Sequence, residues 1–198
     1  QERVSFNTAI YRQSGEHGSG KQIEAYLALA EAAYTFQPLR FTLGTTYLSG
    51  MAGNESKMRA FNTLYATNHK FYGFMDYFIN VPADTRQGGL HNSYFKTSFN
   101  PKGRYSLSLD YHYFALAKNL QTTEALPGTR NRYLGSELDA VLQYKHSDHI
   151  HIFLGYSTLF AGSSMEAIKH GNASGYADWG WVMVNIQPRI LLKSFEKE

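Results

Sequence analysis

Apolar and polar residues alternate along most of this chain. From Tyr105 to Lys118, one face carries Tyr105, Leu107, Leu109, Tyr111, Tyr113 and Ala115. The other carries Ser106, Ser108, Asp110, His112 and Lys118, with Phe114 and Leu116 as apolar exceptions. Between Tyr133 and Lys145, Leu134, Leu138, Ala140, Leu142 and Tyr144 oppose Glu137, Asp139, Gln143 and Lys145. From Ile150 to Phe160, Ile150, Ile152, Leu154, Tyr156 and Phe160 oppose His151, Gly155 and Ser157. Arg40 to Gly50 repeats the pattern, with Phe41, Leu43 and Tyr47 against Arg40, Thr42, Gly44 and Thr46. A period of two sustained this long predicts half-buried strands. Weaker versions cover Val4 to Gln13, Lys21 to Phe36, Leu90 to Phe99 and Trp179 to Gln187. Lys21 to Phe36 is rich in Ala and Leu, which favour helix. The turn at Gln37-Pro38-Leu39 and the alternating segment after it make it a strand.

Strand length and connection length narrow the class. Globular strands run to about five or six residues, and the four best segments all reach the roughly 9–11 that an outer-membrane strand needs. Tight turns at 37–39, 100–104 and 147–149 alternate with longer loops at 14–20, 51–89, 119–132 and 161–175. Short periplasmic turns alternating with long outer loops are the pattern of outer-membrane barrels. The expectation is therefore an all-β, antiparallel up-and-down transmembrane β-barrel: a single domain of about eight strands, or half of a larger barrel. Leu107, Leu109, Leu138, Leu142, Ile152, Leu154, Val182 and Val184 are expected to face lipid. Trp179, Trp181, Tyr113, Tyr144 and Tyr156 suit interfacial aromatic girdles.

Composition agrees with that class. Aromatics make up 15% of the 198 residues and charged residues only 18%, a balance that suits pleated surfaces. Mean hydropathy is −0.39. No run of eighteen apolar residues predicts a spanning helix, and alternation lets a barrel keep such a low average. The absence of Cys removes disulfides, thiolate chemistry and Cys-ligated metals. A net charge of +3 without a basic block does not point to nucleic acid. The chain begins at Gln1 with no charged-then-apolar leader, and is expected to be a processed or excised product.

FNTLYATNHKFYGFMDYF at 61–78 resembles a segment of the alginate-export family of outer-membrane barrels. The resemblance continues through GGLHNSY at 88–94, DYHYFALA at 110–117, LGSELDAVLQYK at 134–145, LGYSTLFAGSSMEA at 154–167 and DWGWVMVNIQP at 178–188. It implies a passive conduit whose polar lumen lets an anionic sugar polymer or a smaller solute cross. Family members are typically about twice this length, and this chain matches their C-terminal half. It is then a fragment, a subunit of a split barrel, or a shortened relative closed with eight strands, whose interior would be filled by side chains. The first and last strands must pair with each other, with a missing N-terminal half or with another chain, and the resemblance favours the latter two.

The candidate solute-contacting residues are Arg59, His69, Lys70 and Asp76 on the 51–89 loop, and Asp110, His112, Glu137, Asp139 and Lys145 on strands. Lys118 and Gln143 share the strand face of the second group. A structureless loop as long as 51–89 is uncommon, and its aromatics argue for packing into or over the lumen. Because the strand charges are of mixed sign, a filling salt-bridge network is the competing reading to an ion-selective ring. Ser147, Asp148, His149, His151 and Ser157 could be drawn as a triad or metal site. Asp148 and His149 fall in a turn without an oxyanion-hole motif, so no catalytic residue, metal or cofactor is assigned. The leading function is a non-enzymatic outer-membrane channel or exporter component for polar, anionic, carbohydrate-like solutes, with outer-membrane lipid as its surroundings. The alternative is a structural or binding barrel subunit with a filled lumen. An envelope enzyme is the third reading.

Overall fold

The computed structural model describes residues 3–122, 128–129 and 131–188. Eight strands form one antiparallel sheet: β1 (Arg3–Glu16), β2 (Gln22–Phe36), β3 (Leu39–Leu48), β4 (Leu90–Phe99), β5 (Tyr105–Ala115), β6 (Tyr133–Lys145), β7 (Ile150–Ala161) and β8 (Ala177–Ile186). Spatial order follows chain order, so the sheet is an up-and-down meander, and β1 does not pair with β8. The sheet is open, and the closed eight-strand arrangement is not formed. Among the described residues no helix is long and apolar enough to cross a membrane.

The Ala-rich β2 shows why local propensity loses here. It is hydrogen-bonded along its length to β1, from Arg3↔Thr35 to Glu16↔Gln22, and to β3, from Leu27↔Leu48 to Phe36↔Leu39. Two flanking ladders satisfy every other backbone group on each side, which a helix preference of a few tenths of a kcal/mol per residue cannot match.

Alternation sorts the sheet into two faces. One outward row reads Phe36, Leu39, Phe99, Leu107, Leu142, Leu154 and Val182, cross-strand neighbours from β2 to β8. All but Leu39 in this row are exposed, Val182 by 68%. Leu109, Leu138, Ile152 and Val184 share this face. A contiguous bare apolar band of this extent marks an interaction or membrane surface, and alternation with a polar inner face is the barrel form of it. On the inner face the core gathers at the loop end. Leu48, Leu90, Phe114, Leu134 and Leu159 pack there with Phe61, Tyr72, Phe78 and Val81 of the 51–89 loop.

Several boundaries differ from the sequence reading. The β1–β2 hairpin pairs as far as Glu16↔Gln22, so its loop shrinks from 14–20 to 17–21. β5 ends at Ala115 because the register shifts between Phe114 and Ala115, after which Leu116 N–H donates to Arg132 and Lys118 N–H to Gly88. The chain has left the ladder by Lys118, which therefore does not join the inner face. The 161–175 loop contains a helix, α1 (Ser163–Lys169), which packs on β6 with Met165 and Ile168 buried. Part of the expected 119–132 loop, 123–127 and 130, lies outside the described residues.

The aromatic girdle divides. Tyr113, Tyr144 and Tyr156 face outward. Trp179 and Trp181 face inward, opposite Ser157 and Gly155, and the indole of Trp181 lies across the space that a Cβ on Gly155 would occupy. Period two puts 179 and 181 on the face opposite Val182 and Val184, so the tryptophans cannot join the lipid-facing set.

Candidate functional site

Strand register assembles the inner-face polar residues into rows. One row crosses Glu31 on β2, Gly44 on β3, Tyr94 on β4, His112 on β5 and Glu137 on β6. The next crosses Ala33, Thr42, Lys96, Asp110, Asp139 and Ser157, ending at Trp179. Gly44 is needed where it stands: a Cβ there would collide with the Tyr94 ring, which lies over it. That placement lets the Tyr94 hydroxyl donate to Glu31 at 2.8 Å. In the second row Lys96 Nζ donates to Asp110 at 2.7 Å.

The 51–89 loop is fastened to these rows at their loop-ward edge. Phe78 packs on Phe114 at 4.7 Å between ring centroids. Asn92 Nδ2 donates to the Phe71 carbonyl at 3.2 Å, and Asn92 Oδ1 lies 3.1 Å from His112 Nδ1. The Met75 N–H donates to Glu137 Oε1 at 2.8 Å. Gly73, at φ +79°, brings backbone against the Glu137 carboxylate where any side chain would clash. Burial pushes the Tyr72 hydroxyl, on the same loop, up to about 12.

The sequence-derived candidates therefore fall into two groups and two outliers. Asp110, His112, Glu137 and Asp139 come together on the inner face, and Glu137 and Asp139 are almost fully buried. His69 Nδ1 lies within hydrogen-bond distance, 2.6 Å, of Asp76 Oδ1 on the loop, with the His69 ring stacked on Phe74 and Lys70 over Phe71. Arg59 and Lys145 join neither group. Arg59 binds Glu55 and Glu24 at the loop-end rim, beside the outward Tyr26 and Tyr47. Lys145 closes the β6–β7 turn on Asp148 at 2.7 Å, and that ion pair holds the Asp148 carboxyl below its usual range.

Glu31, Asn92, Tyr94 and Lys96 belong to the inner face but were not singled out from sequence, and Ser157 and Trp181 lie there too, away from the triad and girdle roles that the sequence offered for them. Lys96 carried a usable signal, since no other Lys, Arg, Asp or Glu stands in its strand, and Glu31 a weaker one, since β2 also holds Glu24 near its start. The central rows place Glu31, Asp110, Glu137 and Asp139 against Lys96, an excess of carboxylates. Arg40 lies one row nearer the tight turns and points to Thr35 and Ser5. Glu137 Oε2, Asp139 Oδ1, Ser157 Oγ and Trp181 Nε1 are buried with no hydrogen-bond partner among the described residues. No group of three or more His, Asp or Glu side chains that could hold a metal occurs among them.

Below the loop anchor, toward the tight turns, a cavity of about 660 Å³ opens on the inner side. Phe74, Trp179, Trp181, Ser98, Ser108 and Gln143 contribute to its wall. The arrangement combines polar rows, aromatic plates and an in-folded loop. Hydrogen-bonding groups beside aromatic faces are the chemistry that suits a polar ligand with an apolar face.

No curated protein matches the chain. A family model described as alginate export matches residues 1–177, and that family supports an outer-membrane, exporter-type role for polysaccharide. A meander of long alternating strands with a polar inner face is consistent with part of such a barrel, and this chain belongs to the alginate export family.

Proposed function

We propose that this chain forms part of the wall of an outer-membrane conduit for a polar carbohydrate polymer, and that its role is transport rather than catalysis. The observation that carries this reading is the two-faced sheet: an exposed apolar band outside, and polar rows with an in-folded loop inside. Hydrocarbon accepts only sheets whose edges are paired, so strands outside this chain complete the barrel at β1 and β8, from a second chain or from the rest of a longer one. The carboxylate excess of the central rows argues that this part of the wall does not supply the attraction for an anionic solute. The assembly purified from outer membranes should give discrete conductance steps in planar bilayers, and added polysaccharide should block them. Stable insertion without any steps would overturn the conduit.

That second outcome describes a filled-lumen structural or binding barrel. One observation favours it: the 51–89 loop buries Phe61, Tyr72 and Phe78 against the inner face. Deleting residues 62–78 separates the two, because a gated conduit then conducts more and a structural barrel merely loses stability.

A further inference from the structure

We infer that the inner cavity beside β8 is a binding site for neutral pyranose rings of a saccharide, with Trp179 and Trp181 as its stacking plates. The inference rests on the conduit reading and adds to it a place and a sugar class. Both indoles face the inner side with ring centroids 6.2 Å apart, opposite Ser157 and Gly155, in a mixed wall where Phe74, Phe153 and Met183 stand with Ser98, Ser108 and Gln143. Trp179 lines the cavity and is 42% exposed. Phe74 of the in-folded loop meets Trp181 edge-on at 6.5 Å and limits the cavity on the loop side. Gly155 makes the arrangement possible, because any side chain there would displace the Trp181 ring.

The polar groups say which sugar fits. The apolar face of a pyranose stacks on an aromatic ring, and its hydroxyls need donors and acceptors around the edge. Ser98, Ser108 and Gln143 supply hydroxyl and amide groups, and Trp181 Nε1 is a buried donor with no partner among the described residues. A uronate ring would also need a cation for its carboxylate. No Lys or Arg is among the described residues that line the cavity. Its one titratable member, His69, is already paired with Asp76. Arg40, cross-strand from Ser98, is turned away toward Thr35 and Ser5. The volume of about 660 Å³ lies within the ~300–1,000 Å³ of small-molecule sites.

Both tryptophans of these 198 residues are here, so the part of the indole emission that is lost in a Trp179→Phe, Trp181→Phe double variant reports on this site. Titrating the intact protein in detergent with a neutral glucose hexamer should quench and shift that emission saturably. A mannuronate hexamer should bind at least about tenfold more weakly. Gly155→Val should weaken the glucose hexamer by at least about tenfold by displacing the indole. Should Gly155→Val fail to fold, Trp179→Phe, with Trp181 still reporting, should weaken it as well. No response to the neutral sugar, an equal or stronger response to the uronate, or full binding by the folded variants would overturn the site. Conductance recorded on the same preparation keeps the two ideas apart. Steps without a sugar response remove this site alone, and a sugar response without steps removes the conduit alone.

Discussion

Glu137 on β6 accepts the backbone N–H of Met75, 62 residues earlier in the chain, at 2.8 Å. A buried carboxylate thus holds a loop to the sheet. Its position opposite Gly73 means that carboxylate and loop backbone are matched in shape as well as in polarity. The same residue was a lumen-charge candidate from sequence, and its contact with the loop makes it an anchor whether or not solute ever touches it.

Removing that anchor should free the loop. Glu137→Ala leaves the Met75 N–H unsatisfied and should destabilise the protein by about 1–3 kcal/mol. Glu137→Gln keeps an acceptor oxygen and should lose less. Limited proteolysis is the readout: the 61–78 segment should resist cleavage in the parent and be cut readily in Glu137→Ala. Ready cleavage of the parent would contradict the packed loop.

The outward band should behave as a lipid-facing surface. Leu109→Arg and Leu154→Arg, each placing a cation in that band, should cost about 2–4 kcal/mol if they fall near the bilayer midplane. Ser108→Arg, one residue away but on the inner side, should cost less. Spin labels at the two leucine positions should be relaxed by dissolved oxygen, with a water-soluble quencher having little effect. The reverse pattern would remove the membrane assignment.

The two open edges predict a negative crosslinking result. β1 and β8 do not pair, and both are exposed along most of their length. Cysteines introduced by Thr8→Cys and Val184→Cys should not form an efficient bond within one chain in the membrane. Rapid intrachain bonding would show that the barrel closes on itself.

Gly44 tests the inner row from the other side. Gly44→Val should push the Tyr94 ring off the sheet, break the 2.8 Å bond from its hydroxyl to Glu31, and destabilise by about 1–3 kcal/mol. Adding Tyr94→Ala to Gly44→Val should recover part of that loss, since the collision is then gone. Denaturant unfolding of the two variants beside the parent makes the comparison.

Tyr72 sets an alkaline limit on loop packing. Burial raises its hydroxyl from 10.0 to about 12, so the folded state keeps a proton that the unfolded state releases earlier. Its contribution is intact below pH 10 and is lost as pH rises from there through about 12. Tyr72→Phe should flatten the fall in stability across that window. An unchanged alkaline profile in Tyr72→Phe would show that this hydroxyl is not buried as described.

The all-β class, the eight strands and the outward identity of Leu107, Leu142, Leu154 and Val182 were all legible in sequence. The reason is that a strand's side-chain period is two, and each face has a single kind of neighbour. The same periodicity already excluded Trp179 and Trp181 from the outer face once Val182 and Val184 were placed there. What alternation cannot specify is which residues on different strands stand side by side. The Tyr94–Glu31 bond, the row joining Lys96, Asp110, Asp139 and Ser157, and the seating of Trp181 on Gly155 depend on interstrand register and curvature. The grip of Glu137 on Met75 depends further on a long loop finding the inner face. Those contacts bridge segments far apart in the chain, so only the folded sheet decided that Arg59 and Lys145 end at its margins while Glu137 and Asp139 lie at its centre.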